Sequence, residues 1–215
     1  MLYWGKIIKI FIKNISTIVS GDYLNPLLEG DSIFIKDGLI DEIGNVNFKK
    51  IESSDVVIDA DGATVTPGFI DSHVHITFGD FTPRQNTVGY LTSYLHGGTT
   101  TSITASEVHV PGRPSDPEGV KALALAAKKC FDNFKPGGMT VFAGSVILEP
   151  GLKLEDFMEL NQKGVWLAKA GFGKVESADE YIELVSNAKK SGLFTTLHTG
   201  GASIPGSFPI TGNDL

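Results

Sequence analysis

The sequence predicts an α/β protein in which a small all-β domain precedes a run of parallel strand–helix units. Three observations lead there. Residues 6 to about 65 break into short runs rich in β-branched side chains, separated by tight-turn dipeptides. From Phe69 onward, apolar strand-like runs alternate with amphipathic helical stretches, the pattern of parallel strands joined by helices. The change falls at Thr66-Pro67-Gly68 and divides the chain into residues 1–66 and 67–215.

In the first domain the candidate strands are 7–12, 32–36, 39–43 and 56–59. Asp37-Gly38 between two of them signals a two-residue hairpin, and Asp61-Gly62 marks another turn. In the second domain the candidate strands are 69–76, 99–105, 141–148, 165–170 and 194–198. Helices are expected over about 84–96, 118–134, 154–163 and 177–191, with Gly97-Gly98 and Gly192 as stop signals. A closed eight-stranded barrel takes about 250 residues, whereas 147 residues run from Phe69 to Leu215. The pattern is therefore that of a partial (β/α)8 TIM-type barrel, about five βα units long.

Composition narrows the function. Hydrophobic residues make up 41% and charged residues 20% of the 215, enough apolar material for a sizeable core. Lys and Arg number 18 against 25 Asp and Glu, a formal net charge of −7. An acidic chain without a basic stripe argues against nucleic acid as partner. Cys130 is the single cysteine, so no intrachain disulfide forms and a reducing cytoplasm is expected. Lys6, Lys9 and Lys13 interrupt the apolar start, unlike a signal peptide. No later run approaches the roughly 18 apolar residues of a membrane span. The expectation is a cytoplasmic protein with no membrane partner.

The strongest chemical signal is Asp71-Ser72-His73-Val74-His75. On a strand, residues i and i+2 share a side, so His73 and His75 can offer two imidazoles to one ion; imidazole suits zinc, iron or nickel. An H-x-H pair also occurs by chance on exposed strands, but this one closes an apolar run at the strand end where barrel active sites lie. Lys169 is a lone cation in the apolar run Val165-Trp166-Leu167-Ala168-Lys169-Ala170. Either it snorkels to solvent at a rim, or it has a role that offsets its burial. His198 ends the fifth candidate strand, as a ligand or as a hydrogen-bonded core histidine. His96 at a helix end reads as structural. Asp71 reads as a partner that orients an imidazole. His109, Arg84 and Arg113 fall on loops at the active-site side and are candidates for substrate contact, the arginines through a carboxylate. Ser145 and Ser203 lack a nucleophile-elbow setting.

Val65-Thr66-Pro67-Gly68-Phe69-Ile70-Asp71-Ser72-His73-Val74-His75 resembles the motif leading into the first barrel strand of the amidohydrolase superfamily. His96-Gly97-Gly98-Thr99-Thr100-Thr101 resembles that family's turn into its second strand, and the β-rich start resembles part of its small β-sandwich. Pro111-Gly112-Arg113-Pro114, Val146-Ile147-Leu148-Glu149, and His198-Thr199-Gly200-Gly201 with Ser203-Ile204-Pro205-Gly206 are similar to the enamidase branch, which hydrolyses a cyclic enamide.

The resemblance implies a metal-dependent hydrolase of C–N bonds other than peptide bonds, acting on a small cyclic amide. It implies two divalent ions, zinc and/or iron, that share a hydroxide and polarise the amide carbonyl. In the superfamily the first strand supplies the H-x-H pair, the fourth an acidic bridge, the fifth and sixth one histidine each, and the eighth an aspartate that moves protons. His73, His75 and His198 match ligand positions. Lys169 matches the bridge, which in many members is a carboxylated lysine. The enamidase branch is expected to carry glutamate there, a departure that a carbamylated lysine would offset chemically. The sixth-strand histidine and the aspartate are not in this sequence, so the isolated 215-residue chain is expected to be inactive. A homo-oligomeric longer form is one expectation. A split subunit that scaffolds a partner chain completing the barrel is the rival.

Overall fold

The computed structural model describes residues 8–76, 87–110, 112–200, 205–211 and 213. The chain falls into two compact units, Met1–Pro67 and Gly68–Leu215.

The first unit contains β1 (Lys9–Lys13), β2 (Thr17–Val19), β3 (Leu27–Leu28), β4 (Ser32–Lys36), β5 (Leu39–Gly44), β6 (Val56–Asp59) and β7 (Thr64–Val65). They form two sheets, β5-β4-β1-β6 and β3-β2-β7. β1 pairs antiparallel with β4 and parallel with β6. Period-2 alternation turns Phe11 and Phe34 into one small core with Val46, while Ile15, Ile18 and Ile33 form a second. Asp37 and Gly38, at φ 50° and 80°, are the two left-handed residues that a tight hairpin between β4 and β5 requires. The sequence reading missed β2, β3 and β7, which are too short to show alternation.

The second unit runs β8 (Phe69–Val74), α1 (Thr87–His96), β9 (Thr99–Thr104), α2 (Pro117–Asn133), β10 (Thr140–Phe142), β11 (Ser145–Ile147), α3 (Leu154–Gln162), β12 (Leu167–Ala170), α4 (Ala178–Lys190) and β13 (Phe194–Leu197). Strand pairing is parallel throughout, in the orders β8-β9-β10 and β11-β12-β13. Among the described residues no helix follows β13, so the fifth βα unit is represented by its strand alone.

Local chemistry accounts for the helices. Asp116 caps α2 by accepting the Gly119 N–H at 2.9 Å, with Pro117 opening the first turn. Ser177 caps α4, whose first turn carries Asp179 and Glu180 and whose last turn carries Lys189 and Lys190, matching the helix dipole at both ends. Phe157 and Leu160 of α3 and Tyr181 and Leu184 of α4 pack over Val146, Leu148, Ala168 and Ala170 in the larger core.

The expected single strand over 141–148 is instead two. β10 pairs with β9 and β11 with β12, and the chain breaks step at Ala143-Gly144. Gly144 has φ +93°, and a side-chain carbon there would lie 2.7 Å from both the Ala124 carbonyl oxygen and Lys128 Cβ. Helix α2 therefore rests on bare backbone at the break. Gly144→Ala is expected to cost about 1–3 kcal/mol from strained φ alone, with the clash added. Chemical denaturation of the variant checks this; an unchanged midpoint would show that the break tolerates a side chain.

Among the described residues, β8, β10, β11 and β13 each have a strand neighbour on one side only. Phe69 and Ile70 on β8 and Phe194 on β13 are about two-thirds exposed, at 67%, 65% and 66%. Beside β13, an apolar groove of about 430 Å³ is lined by Tyr181, Ile182, Val185, Leu197, Phe208 and Ile210. Among the described residues, no helix is long and apolar enough to cross a membrane.

Candidate active site

The C-terminal ends of the parallel strands bring together residues far apart in sequence. His73 is the penultimate residue of β8 and His75 lies just past its end. Their rings stand 5.4 Å apart between centroids and nearly perpendicular. Nδ1 of His75 lies 3.0 Å from the Ser106 carbonyl oxygen. A carbonyl only accepts, so Nδ1 carries the proton and Nε2 keeps a free lone pair. Ser106 is fully buried and holds φ +87°, an unusual backbone for a residue with a side chain.

Lys169 sits in β12, where all four residues are buried. Its side chain has no exposure, so it does not snorkel to a rim. Nζ lies 3.2 Å from Nε2 of His73. Burial pulls its pKa down to about 8. About a tenth of it is then the neutral, nucleophilic amine at pH 7, against a vanishing fraction for a free lysine. His73 and His75 are both held below the ordinary imidazole pKa, first by desolvation; the Lys169 charge lowers both further.

His198 follows β13, with its N–H on the Ala170 carbonyl at 3.1 Å. Its ring meets the group through Phe172, whose centroid is 4.9 Å away. Phe172 also stands 6.1 Å from the ring of His75 and 6.4 Å from that of His109. His109 is exposed, with its ring 5.1 Å from that of His75. His96 ends α1 and is exposed. Among the described residues, no three His, Cys, Asp or Glu side chains converge tightly enough to hold an ion unaided.

Two expectations change. Asp71 does not orient an imidazole: its carboxylate accepts the backbone N–H of His73 at 3.0 Å. Arg113 is not a free fork for a substrate carboxylate. Nη2 donates to the Phe172 carbonyl at 2.8 Å, and Nη1 lies 3.5 Å from the carboxylate of fully buried Glu149. Arg84 lies outside the described residues. Glu149, Ser106 and Phe172 were missed as site residues. Glu149 carried a readable signal, a lone carboxylate closing an apolar strand.

The model of the amidohydrolase family matches residues 64–205. This chain belongs to that family. It is 46% identical to enamidase from Eubacterium barkeri over 208 residues, which are 96% of the chain and 54% of that protein. It is 30% identical to a dihydroorotase from Methanosarcina acetivorans, covering 82% of the chain and 36% of that protein. The crystal structure of enamidase superposes with a TM-score of 0.83 over 96% of this chain and 54% of that one, at 46% identity. L-hydantoinase from Arthrobacter aurescens superposes with a TM-score of 0.62 over 93% of this chain and 42% of that one; at 22% identity it speaks for the fold alone. The family fold is the TIM-type barrel with a small β domain, and the chain carries part of it. The chain spans about half the length of the enamidase it matches, and superfamily members work with divalent metal centres.

Proposed function

We propose that the protein, joined to the remaining barrel strands, is a metal-dependent hydrolase of C–N bonds other than peptide bonds, with an enamidase-like cyclic amide as substrate. One observation carries this reading. Lys169 is a fully buried lysine whose pKa burial lowers to about 8, with Nζ 3.2 Å from an imidazole of an H-x-H pair. A hydrophobic side chain would serve packing better there, which supports a chemical role for the amine.

The residues fit part of a two-ion site. His73, His75 and His198 would supply neutral nitrogen donors, and a carboxylated Lys169 would supply the anion between two zinc or iron ions. When bound, such ions make a nucleophile from water at neutral pH and polarise an amide carbonyl. The chain's own residues prepare for this. Ser106 fixes the tautomer of His75 so that Nε2 is free, and desolvation lowers the pKa of His73 and His75, which favours the neutral form. Lys169 presents a neutral amine fraction for reaction with carbon dioxide. His109 lies exposed beside His75, where it can meet substrate. In this reading the aspartate that moves the proton to the leaving nitrogen and the sixth-strand histidine come from outside these 215 residues.

The test compares two proteins against cyclic amides, with zinc, iron and bicarbonate supplied. The barrel-complete protein is expected to turn over and to lose activity on chelation. The isolated 215-residue chain is expected to be inactive and poorly soluble, because β8 and β13 leave unpaired edges and the groove beside β13 exposes apolar surface. Robust turnover by a monodisperse monomer of the short chain would overturn the incomplete-site reading. The same open edges favour a second reading, a non-catalytic subunit that scaffolds a partner completing the barrel. Tight association with a partner chain, without turnover by the complex, would select it.

A further inference from the structure

The loop after β12 is held far more firmly than a connection needs. Gly171 has φ +99°, and a side-chain carbon there would lie 2.7 Å from Cβ of His198. At Gly173 it would fall 1.8 Å from the Leu148 carbonyl oxygen. Both neighbours of Phe172 therefore press against backbone or side chain with no room for a substituent. Three hydrogen bonds add to this. The Gly171 N–H donates to the Tyr181 hydroxyl at 3.2 Å, the Phe172 carbonyl accepts from Arg113 at 2.8 Å, and the Lys174 N–H donates to Glu149 at 2.7 Å.

Arg113 and Glu149 are costly fasteners. Glu149 is fully buried and the Arg113 side chain is 12% exposed, with 3.5 Å between Nη1 and Oε1. Burying two charges is expensive and is offset only by their attraction and by the hydrogen bonds each makes; here those bonds go to the loop after β12. What they hold is the backbone at Phe172 and Lys174, which carries one phenyl ring. Phe172 is half-buried, and its ring lies among His75, His109 and His198 with Nζ of Lys169 5.6 Å from its centroid. It is the apolar surface in a cluster otherwise made of imidazoles and an amine. Small-molecule sites combine such a surface with a few convergent polar groups.

We propose that Phe172 is a specificity-determining residue: its ring is the wall against which the flat ring of a cyclic amide rests, and Arg113 and Glu149 are positioning residues that aim it. This rests on the hydrolase reading above. Aromatic rings attract flat partners in offset or edge-on geometry at centroid separations of about 4.5–7 Å. Three histidine rings already meet Phe172 in that range.

The experiment uses the metal-loaded, barrel-complete protein and two probes, flat 2-pyridone and its puckered saturated counterpart 2-piperidone. Phe172→Leu keeps an apolar side chain and should leave metal content and melting temperature close to wild type. Calorimetric affinity for 2-pyridone should fall about tenfold, the scale of an aromatic pair, while affinity for 2-piperidone changes little. Arg113→Lys keeps the charge but loses the fork, and should shift 2-pyridone affinity in the same direction. For turned-over amides, the change should appear in KM with kcat nearly constant. Unchanged 2-pyridone affinity in Phe172→Leu, equal losses for both probes, or no binding of 2-pyridone to wild type overturns the wall. A wild type that binds 2-pyridone but hydrolyses no amide overturns the hydrolase reading, and the titration then decides the wall alone.

Discussion

Replacing His73 and His75 together with alanine is expected to remove metal from the barrel-complete protein, weakening binding roughly 10⁴-fold. The scale follows from sharing about 10–16 kcal/mol of zinc binding among four ligands, or about 3 kcal/mol for each. The two imidazoles stand together at the end of β8 with their rings 5.4 Å apart, so the double variant loses half of such a set. Metal analysis after dialysis reads the result directly, and equal content in variant and wild type would reject the assignment. The pH dependence has a definite sign. Only neutral imidazole binds metal, and both groups are held below their ordinary pKa. Binding should therefore persist through neutrality and fail only as pH falls below about 6.5. In the metal-free protein, the unfolded chain takes up these protons before the folded one does. Stability contributed by His73 and His75 is thus full above that pH and declines below it.

If the proposed site is right, Lys169→Ala is expected to lower turnover by about a thousandfold or more, since the proposed anion between the ions would be lost. Short carboxylates should restore part of it by occupying the vacated space, and Lys169→Glu should retain metal. Full activity in Lys169→Ala would reduce Lys169 to a packing residue. Stability should move in the opposite direction. With bicarbonate and metal removed, Lys169→Met is expected to be more stable near pH 7 by up to about 3 kcal/mol, because the folded pKa of about 8 lies some 2.5 units below the value for free lysine. The folded state disfavours the ammonium form. Wild-type stability should then rise with pH between about 8 and 10.5, where the unfolded chain holds the extra proton, and the methionine variant should lack this rise. Urea denaturation at pH 7 and pH 10 separates the two curves. A Lys169→Met protein less stable than wild type at pH 7 would show that the amine has a stabilising partner.

Much of the fold was legible because its elements obey simple periods. The helix expected over 118–134 is α2 at Pro117–Asn133, and that expected over 177–191 is α4 at Ala178–Lys190; Asp116 and Ser177 cap their starts, and Gly192 stops the second. The metal-type residues were legible for a similar reason. Alternation puts His73 and His75 on one side of β8, and a lone lysine in an apolar strand is conspicuous. The break at Ala143-Gly144 was not legible. Gly144-Ser145 interrupts the apolar residues of Val141 to Leu148, but whether the strand runs on or splits there answers to α2, whose residues 124 and 128 crowd Gly144. Arg113 was misread because a loop arginine looks the same in sequence whether it faces substrate or a buried carboxylate.

By itself, then, the sequence determined the alternation of longer strands and helices and the strand ends at which His73, His75, Lys169 and His198 stand. These depend on neighbours a few residues apart, where backbone geometry is repetitive. Only the tertiary structure decided which donors meet and what fastens them. Lys169 reaches His73 across 96 residues, and Arg113 reaches the Phe172 carbonyl across 59. Contacts of that span are set by the register of neighbouring strands and by how closely loops approach one another. No local period records either, because the side chains involved satisfy the same burial pattern in many alternative pairings.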